Sequence, residues 1–205
     1  VLVLAKELER SSTNNNCICV VDKDFDHWAG KIEKGKILKW TKYCDMESHF
    51  ITEKFIKKIL IDTCRSKIEN FELFYSAFID VLKRMYSMRM ADFFLDYNLS
   101  WMSYGKYLSF DAGMKFDIDL YIDRLLEKNS KKRSKNEFVS RYKKNYEMCV
   151  GDCRNYIRGH DYLDVLAFVI LRCAKKKCFT DSDTLSRLLI SHAPNEIEME
   201  NLFLS

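Results

Sequence analysis

The sequence predicts an α/β protein in which short strands come first and helices form most of the remaining chain. Only six Gly and one Pro occur among 205 residues, which favours long helices over a many-turned β fold. A β-branched run at Cys17–Val21 is typical of a buried strand, and apolar residues adopt helical spacing only after Thr52. We therefore expect an α/β core in residues 1–60 and a mostly helical region in residues 61–205 that packs on it.

Composition and charge limit the classes of protein to which this chain could belong. Apolar residues make up 47% of the chain and charged residues 31%, enough for a core and a solvated surface. The longest apolar stretch, Val165–Leu171, is far shorter than the roughly 18 residues of a membrane span. The opening segment has neither signal-peptide nor membrane character, so we expect a cytoplasmic protein with reduced cysteines. A net charge of +4 permits nucleic-acid binding without requiring it.

The elements are predicted in the following order. Val1–Arg10 is a short helix or the end of a strand, and Cys17–Val21 and Ile37–Trp40 are strands. The helical segments are 70–94, 119–128, 134–150, 161–177 and 183–192. Residues 107–119 are predicted to contain a small hairpin with its turn at 111–113, and Ser134 and Glu137 have the spacing of a capping box.

An acidic cluster follows the first predicted strand, in VVDKDFD at 20–26. Alternate residues of an extended chain point the same way, so we expect Asp22, Asp24 and Asp26 to converge on one divalent cation. Hard oxygen ligands suit Mg²⁺ or Mn²⁺. Open α/β sheets also place ligands outside the carboxyl ends of their strands. A bound cation would offset the repulsion among the three like charges.

Four interpretations of this cluster stay open. An EF-hand loop would use the three aspartates and Glu33 as ligands, but His27 stands where that loop needs Gly, and a strand precedes it instead of a helix. A phosphatase with an aspartyl nucleophile would carry Thr or Val at the position of Asp26. The third interpretation is a solvated loop without a ligand. The fourth, a nuclease-type metal site, is favoured by two further motifs.

These two motifs lie later in the chain. The segment TKYCDMESHFI, 41–51, places Asp45 and Glu47 just before a helix, and RGHDYLDVL, 158–166, places a Gly-His-Asp trio at a helix start. With VVDKDFD, their order and spacing over residues 17–175 resemble the OLD-like Toprim nuclease family. In that family a strand ends in a D-x-D-F type motif, a D-x-E segment follows, and a G-H-D helix start comes near the end.

The resemblance implies a Toprim-like α/β core with helical additions and metal-dependent cleavage of phosphodiester bonds in nucleic acid, with tRNA favoured. Asp22 and Asp24 would hold Mg²⁺ or Mn²⁺, with Glu47 as a further ligand or as support for one. It also implies an effector of anti-phage defence, held by an ABC-type ATPase partner and active as a homodimer after release. Toprim enzymes further use a Glu on the first strand as general acid/base. We expect that residue upstream of Val1, so the core is expected to be incomplete at its N-terminus.

A non-enzymatic alternative stays open beside the nuclease. In it the chain is a regulatory or adaptor module, its acids dock a basic partner, and its helices bind an ATPase or a second copy. A Glu-Gly pair on an upstream strand would favour the nuclease over the adaptor.

A basic segment and two histidines complete the candidate residues. The predicted nucleic-acid contacts are Lys131, Lys132, Arg133, Lys135, Arg141, Lys143 and Lys144. Such cations can neutralise phosphates, and Tyr142 and Tyr146 could stack on unpaired bases. A solvated helix face is the alternative. His27 could touch a substrate phosphate or lie on the surface, whereas His160 more simply caps a helix than acts on a substrate.

Overall fold

The computed structural model describes residues 1–11, 17–110, 113–173 and 182–196. In this part the chain is a mixed α/β fold, mostly helical, with two small two-stranded sheets. The strands are β1 (Cys19–Val21), β2 (Leu38–Trp40), β3 (Leu108–Phe110) and β4 (Met114–Phe116). The α-helices are α1 (Leu2–Arg10), α2 (Glu53–Lys57), α3 (Phe71–Leu95), α4 (Ile118–Lys128), α5 (Lys135–Met148), α6 (Gly159–Cys173) and α7 (Ser182–Glu196).

The first sheet confirms the two strands predicted near the N-terminus. β1 and β2 are parallel, with Cys19 opposite Leu38 and Val21 opposite Trp40. Helix α1 covers this pair, and its Ala5 packs with the buried Leu38 and Trp40 in a small apolar cluster. Since parallel strands point the same way, the segments that follow β1 and β2 leave the sheet at one common edge.

Helix α3 is the centre of the main core. It begins at Asn70, whose side chain accepts a hydrogen bond from the N–H of Leu73 (3.0 Å), and it ends at Asp96 in the left-handed conformation (φ 51°). The predicted helix over 70–94 is therefore confirmed. One apolar cluster joins α3 to α5, α6 and the α2 segment, and it includes Phe55 and Ile59. A single core thus crosses the predicted boundary at residue 60.

The predicted hairpin is also confirmed. β3 and β4 are antiparallel with Leu108 opposite Phe116, while turn residues 111–112 lie outside the described residues. The capping box predicted for α5 is wrong. Ser134 closes a 3₁₀ turn and makes no capping hydrogen bond with its side chain, and Glu137 instead accepts a hydrogen bond from the Tyr97 hydroxyl (2.5 Å).

Helix α6 begins as predicted near residue 161, and the predicted residues 174–177 lie outside the described part of the chain. None of the helices in the described ranges has both the length and the apolar character that a membrane span requires.

A buried ion pair ties α3 to α6. Asp161 is only 2% exposed, and the Arg89 guanidinium donates to both of its carboxylate oxygens, at 2.7 and 2.8 Å. The same guanidinium lies 4.4 Å from the centroid of the Trp101 ring. Because Asp161 is removed from water and the Arg89 side chain is only 19% exposed, the loss of one partner would leave the other uncompensated in a largely buried place.

We expect Asp161→Asn to lower the free energy of unfolding by about 3 kcal/mol, because it strands the charge of Arg89. Urea denaturation of the full chain measures this loss. The matched control is Glu127→Gln, whose ion pairs with Arg124 and Lys132 are exposed and should be worth less than about 1 kcal/mol. Equal losses in the two variants would contradict a structural role for the buried pair.

Candidate functional site

Acidic residues gather at the carboxyl edge of the β1–β2 pair. Asp22 and Asp24 follow β1, whereas Asp45 and Glu47 follow β2. The two segments are hydrogen-bonded to each other, because the N–H of Asp24 donates to the carbonyl of Cys44 (2.8 Å). The fold therefore brings together acids from two separate sequence motifs, at the kind of edge where parallel sheets bind ligands.

Asp22 lies at the surface, but the surrounding protein removes part of its carboxylate's hydration. This partial burial raises its pKa, and the negative charges of Asp24 and Glu47 raise it further. A backbone hydrogen bond from Met46 and the positive charge of Arg158 oppose the rise. A divalent cation at this position would relieve the repulsion among the three carboxylates.

Asp24 is held in a strained backbone conformation. Its φ is +36°, in the left-handed region that non-glycine residues seldom adopt. The Tyr86 hydroxyl donates to its carbonyl (3.1 Å) and in turn accepts from Trp28 Nε1 (2.9 Å), which fixes the turn. The Asp24 side chain meets Arg158, whose Nε donates to Oδ1 at 3.1 Å.

Asp45 is a buried anchor between the strand edge and helix α6. Its Oδ2 accepts from the N–H of Gly159 at 2.5 Å, and its Oδ1 accepts from the N–H of Ser48 at 2.9 Å. The Ser48 hydroxyl lies 2.6 Å from the same oxygen. Burial raises the pKa of Asp45 to about 6 against the effect of these hydrogen bonds, and the charge of Glu47 adds to the rise.

Gly159 makes this close approach possible. A Cβ atom at this position would lie 2.4 Å from the Cβ of Glu47 and 2.9 Å from Oδ1 of Asp45. The first residue of α6 must therefore be glycine for the helix to start against the acidic segment. This is the structural basis of the Gly in the RGHD motif.

Asp24, Cys44 and Asp45 offer ligand atoms that lie within 4.8 Å of one another. The Cys44 thiol is fully buried, and burial raises its pKa well above the ordinary value, so it stays neutral. Asp45 is already occupied by its backbone donors. A neutral thiol and a carboxylate already bonded to the protein are poor ligands for a hard cation, so we assign Cys44 and Asp45 to the packing of the edge. The acids that reach solvent are Asp22, Asp24 and Glu47.

Asp26 does not lie in an extended strand with Asp22 and Asp24, although the prediction of Asp26 as a ligand assumed such a strand. The chain turns directly after Lys23, and the N–H of Asp26 donates to the Lys23 carbonyl at 2.9 Å. Because β1 ends at Val21, the residues after it do not continue a strand in which side chains point alternately. Strand alternation therefore does not bring these three aspartates together, and their role as metal ligands stays a prediction.

The two candidate histidines differ in their surroundings. His27 is half-buried with its ring 4.5 Å from that of Trp28, and burial lowers its pKa to about 4, helped by the charge of Lys23. It is neutral at pH 7 and is not a cationic phosphate ligand. His160 is exposed in the first turn of α6, where its charge lowers the pKa of Asp164 against the dominant effect of burial.

Part of the predicted basic segment is engaged with neighbouring groups. Lys135 forms an exposed ion pair with Asp123 at 2.5 Å, and Lys132 lies 3.8 Å from Glu127. The ammonium group of Lys131 lies 4.8 Å from the Tyr97 ring centroid, and the Arg141 guanidinium lies 4.2 Å from that of Phe94. The exposed members are Lys132, Arg133, Lys143 and Lys144.

The prediction that Tyr142 stacks on a base is wrong, since its side chain is buried (7% exposed). It lies on the inward face of α5, where Arg84 donates to its hydroxyl (3.4 Å). Tyr146 donates to Asp80, and the ammonium group of Lys83 lies 4.1 Å from its ring centroid. Both rings serve the packing of α5 on α3.

A cavity of about 660 Å³ opens beside the acidic edge, and the sequence analysis did not predict it. Its lining includes Phe25, Lys31, Phe93, Phe94, Trp101 and Arg158. Arg158 belongs to both features, because it lines the cavity and bonds Asp24. Its place directly before the Gly-His-Asp trio was a sequence signal that could have identified it.

No protein-family model, curated protein or solved structure matches this chain. The site is therefore interpreted from its own geometry.

We expect Gly159→Ala to destabilise the protein by about 2–3 kcal/mol, because the added methyl group overlaps Glu47 and Asp45. Gly105→Ala is the matched control. The nearest atoms to a Cβ there are 3.9 and 4.0 Å away, so its effect should stay within about 0.5 kcal/mol. Thermal and urea unfolding measure both variants. Similar stability of the two would show that α6 can shift away from the strand edge at little cost.

The raised pKa of Asp45 predicts a pH-dependent contribution to stability. Folded Asp45 keeps its proton up to about pH 6, whereas the unfolded chain releases it near the ordinary value of 3.8. Between these values the folded state binds more protons, so this group's contribution to the free energy of unfolding falls as pH rises.

We therefore expect the stability of the wild type relative to Asp45→Asn to be greatest near pH 4. That advantage should shrink by about 3 kcal/mol by pH 7. Urea denaturation of both proteins across this range measures the difference. An advantage that stays constant or grows with pH would show that the hydrogen bonds to the carboxylate outweigh its burial.

Proposed function

We propose that this chain is a nuclease of Toprim type that depends on Mg²⁺ or Mn²⁺, with Asp22, Asp24 and Glu47 as its metal-binding carboxylates. The observation that supports the proposal is that the segments after β1 and β2 carry acids to one edge of the pair, where ligand atoms of Asp24 and Asp45 lie within 4.8 Å of each other. The three proposed ligands come from two segments more than twenty residues apart in the sequence. Partial burial raises the pKa of Asp22, and the charges of Asp24 and Glu47 raise it further. The order of the motifs along the chain adds the resemblance to the OLD-like Toprim family.

The residues present fit a hard divalent cation. Carboxylates are its preferred protein ligands, and Asp24 meets Arg158 through Oδ1, so a cation can bind at Oδ2. When bound, the metal stabilises charge on the attacking and leaving oxygens of a phosphodiester. Asp22 and Glu47 would complete its protein ligands, and Asp45 would keep the segment that carries Glu47 against the start of α6.

Arg158 has a second role in the proposal. Its side chain is 25% exposed and borders the cavity as well as Asp24. A guanidinium carries five N–H donors, so Nε can stay on Asp24 while the terminal nitrogens donate to a phosphate. Charge-assisted bonds of this kind hold phosphate groups in a fixed orientation, which would place the scissile bond at the acidic edge.

The substrate class and the partners follow from the resemblance alone. We propose nucleic acid as the substrate, with tRNA favoured, and a homodimer as the active form. The exposed cations Arg133, Lys143 and Lys144 would give such a substrate further phosphate contacts. We propose an ABC-type ATPase as the partner that restrains the chain in anti-phage defence.

A second candidate is a non-catalytic adaptor that docks the ATPase. It is favoured by the internal neutralisation of the acids, since Asp24 bonds Arg158 and Asp45 bonds the start of α6. The exposed apolar residues Val3, Leu4 and Ile18 near the first sheet would provide docking contacts. Metal binding discriminates the two candidates.

We expect the wild type to bind Mn²⁺ and, when it is expressed with the upstream segment expected to carry the Toprim glutamate, to cut single-stranded RNA or tRNA. The Asp22→Asn/Asp24→Asn double variant should lose both activities. The loss of affinity should be about 100-fold or more, since two of the three proposed ligands change. Isothermal titration with Mn²⁺ and gel analysis of labelled RNA measure binding and cleavage. Asp26→Asn is the matched control, because it removes a neighbouring charge after the turn, and its affinity should change by less than about threefold.

Circular dichroism establishes whether the double variant is folded before its activity is compared. Absence of Mn²⁺ binding by the wild type at millimolar concentration would overturn the metal site and favour the adaptor. Equal cleavage by the wild type and a folded double variant would place any nuclease activity elsewhere.

A further inference from the structure

We infer that the cavity beside Arg158 holds one unpaired base of the substrate strand, with the attached phosphate at the acidic edge. This inference rests on the proposed function and specifies the substrate form, a single-stranded or looped nucleic acid whose base stacks on Phe93 and Phe25.

The size and walls of the cavity suit a nucleobase. Its volume of about 660 Å³ lies within the roughly 300–1,000 Å³ of small-ligand sites. Phe93 forms a continuous aromatic wall with its neighbours, since its ring centroid lies 5.4 Å from that of Phe25 and 5.3 Å from that of Phe94. Phe93 is 38% exposed although it belongs to the central helix α3, so part of its ring is available to a planar ligand.

Two charged side chains that line the cavity are bonded to other groups of the protein. Asp92 accepts hydrogen bonds from the N–H of Leu99 (3.1 Å) and from Trp101 Nε1 (3.0 Å). Arg89 is committed to its bidentate pair with Asp161. Asp161 compensates the charge of Arg89, whereas Asp92 keeps its negative charge and is satisfied by neutral donors. Asp96 also lines the cavity, and its carboxylate accepts a hydrogen bond from Asn98 Nδ2 (2.9 Å).

The cations that remain at the cavity mouth are placed for a phosphate. Lys31 is exposed, and its ammonium group lies 5.3 Å from the centroid of the Phe93 ring. The Arg158 guanidinium lies 5.9 Å from the Phe25 ring centroid and bonds Asp24. Both cations lie over aromatic rings of the cavity, and aromatic side chains combined with cations are what proteins use to bind an unpaired base and its phosphate.

The position of Phe25 connects this cavity to the acidic edge. It is the residue after Asp24, and its ring lines the cavity while Asp24 faces Arg158. Base and phosphate of one nucleotide would thus occupy adjoining parts of one site. A base within a duplex is already stacked and paired, whereas an unpaired base can leave its neighbours for an aromatic side chain.

The test measures binding of an end-labelled hexanucleotide of single-stranded RNA by fluorescence anisotropy, with EDTA present so that no strand is cut. Stacking on an aromatic side chain contributes about 1–3 kcal/mol per base, so we expect Phe93→Ala to weaken binding about tenfold. The matched control is Leu73→Ala, an exposed apolar residue (69%) of the same helix outside the cavity lining. It should bind within about twofold of the wild type.

An abasic hexamer separates stacking from a general loss of structure. It should bind the wild type more weakly than the intact hexamer does, and Phe93→Ala should have no further effect on it. The inference is overturned if the Phe93→Ala variant binds the intact hexamer as tightly as the wild type does. It is also overturned if Phe93→Ala weakens binding of the abasic hexamer as much as it weakens binding of the intact one. If adenosine monophosphate competes with a dissociation constant equal to that of the hexamer, the cavity binds a free nucleotide. That result would overturn the inference that it binds a nucleic-acid strand.

These outcomes are separate from those of the nuclease proposal. Stacking-dependent binding without metal-dependent cleavage would retain the base pocket and reject the enzyme. Cleavage with Mn²⁺ that Phe93→Ala leaves unchanged would retain the enzyme and reject the pocket.

Discussion

The buried carboxylate of Asp45 is the constraint on which the geometry of the acidic edge depends. It lies after β2 and accepts a hydrogen bond from the N–H of Gly159 at the first residue of α6, 114 positions later in the chain. A helix N-terminus favours a negative charge, but removal of the carboxylate from water opposes ionisation. The same contact brings Arg158, which precedes Gly159, to Asp24. One interaction thereby positions the helix, the arginine and the acids together.

Burial divides the four acids of this edge into two roles. Asp45 is buried and accepts hydrogen bonds from backbone N–H groups. It can therefore stabilise the fold, but its oxygens have little capacity left to bind a cation. Asp22, Asp24 and Glu47 keep contact with solvent, and the pKa of Asp22 rises through partial burial and the charges of its two neighbours. The structural role of Asp45 and the metal role proposed for the other acids therefore support each other.

Local patterns predicted the elements well, because helical spacing and β-branched runs are properties of short segments. They predicted the two strands near the N-terminus, helix α3 and the β3–β4 hairpin, whereas the parallel pairing of the two strands is known from the structure. The same patterns could not reveal that β1 ends at Val21 and that the chain turns at Asp24 with a positive φ, so the alternation assumed for Asp22, Asp24 and Asp26 does not hold. They also could not show that Tyr142 lies on the inward face of α5, because that face is defined by α3.

The long-range contacts explain what the sequence analysis missed. Arg158 meets Asp24 across 134 residues, and no local spacing reports such a pair. Because Arg158 already compensates the negative charge of Asp24, a cation that binds Asp24 would compete with Arg158 for that charge. In the proposed metal site Arg158 would lower the affinity for a cation, and its terminal nitrogens would be available to a phosphate that arrives with the metal. Because a phosphate ester supplies the negative charge that Arg158 loses, the metal and the substrate strand should each strengthen the binding of the other.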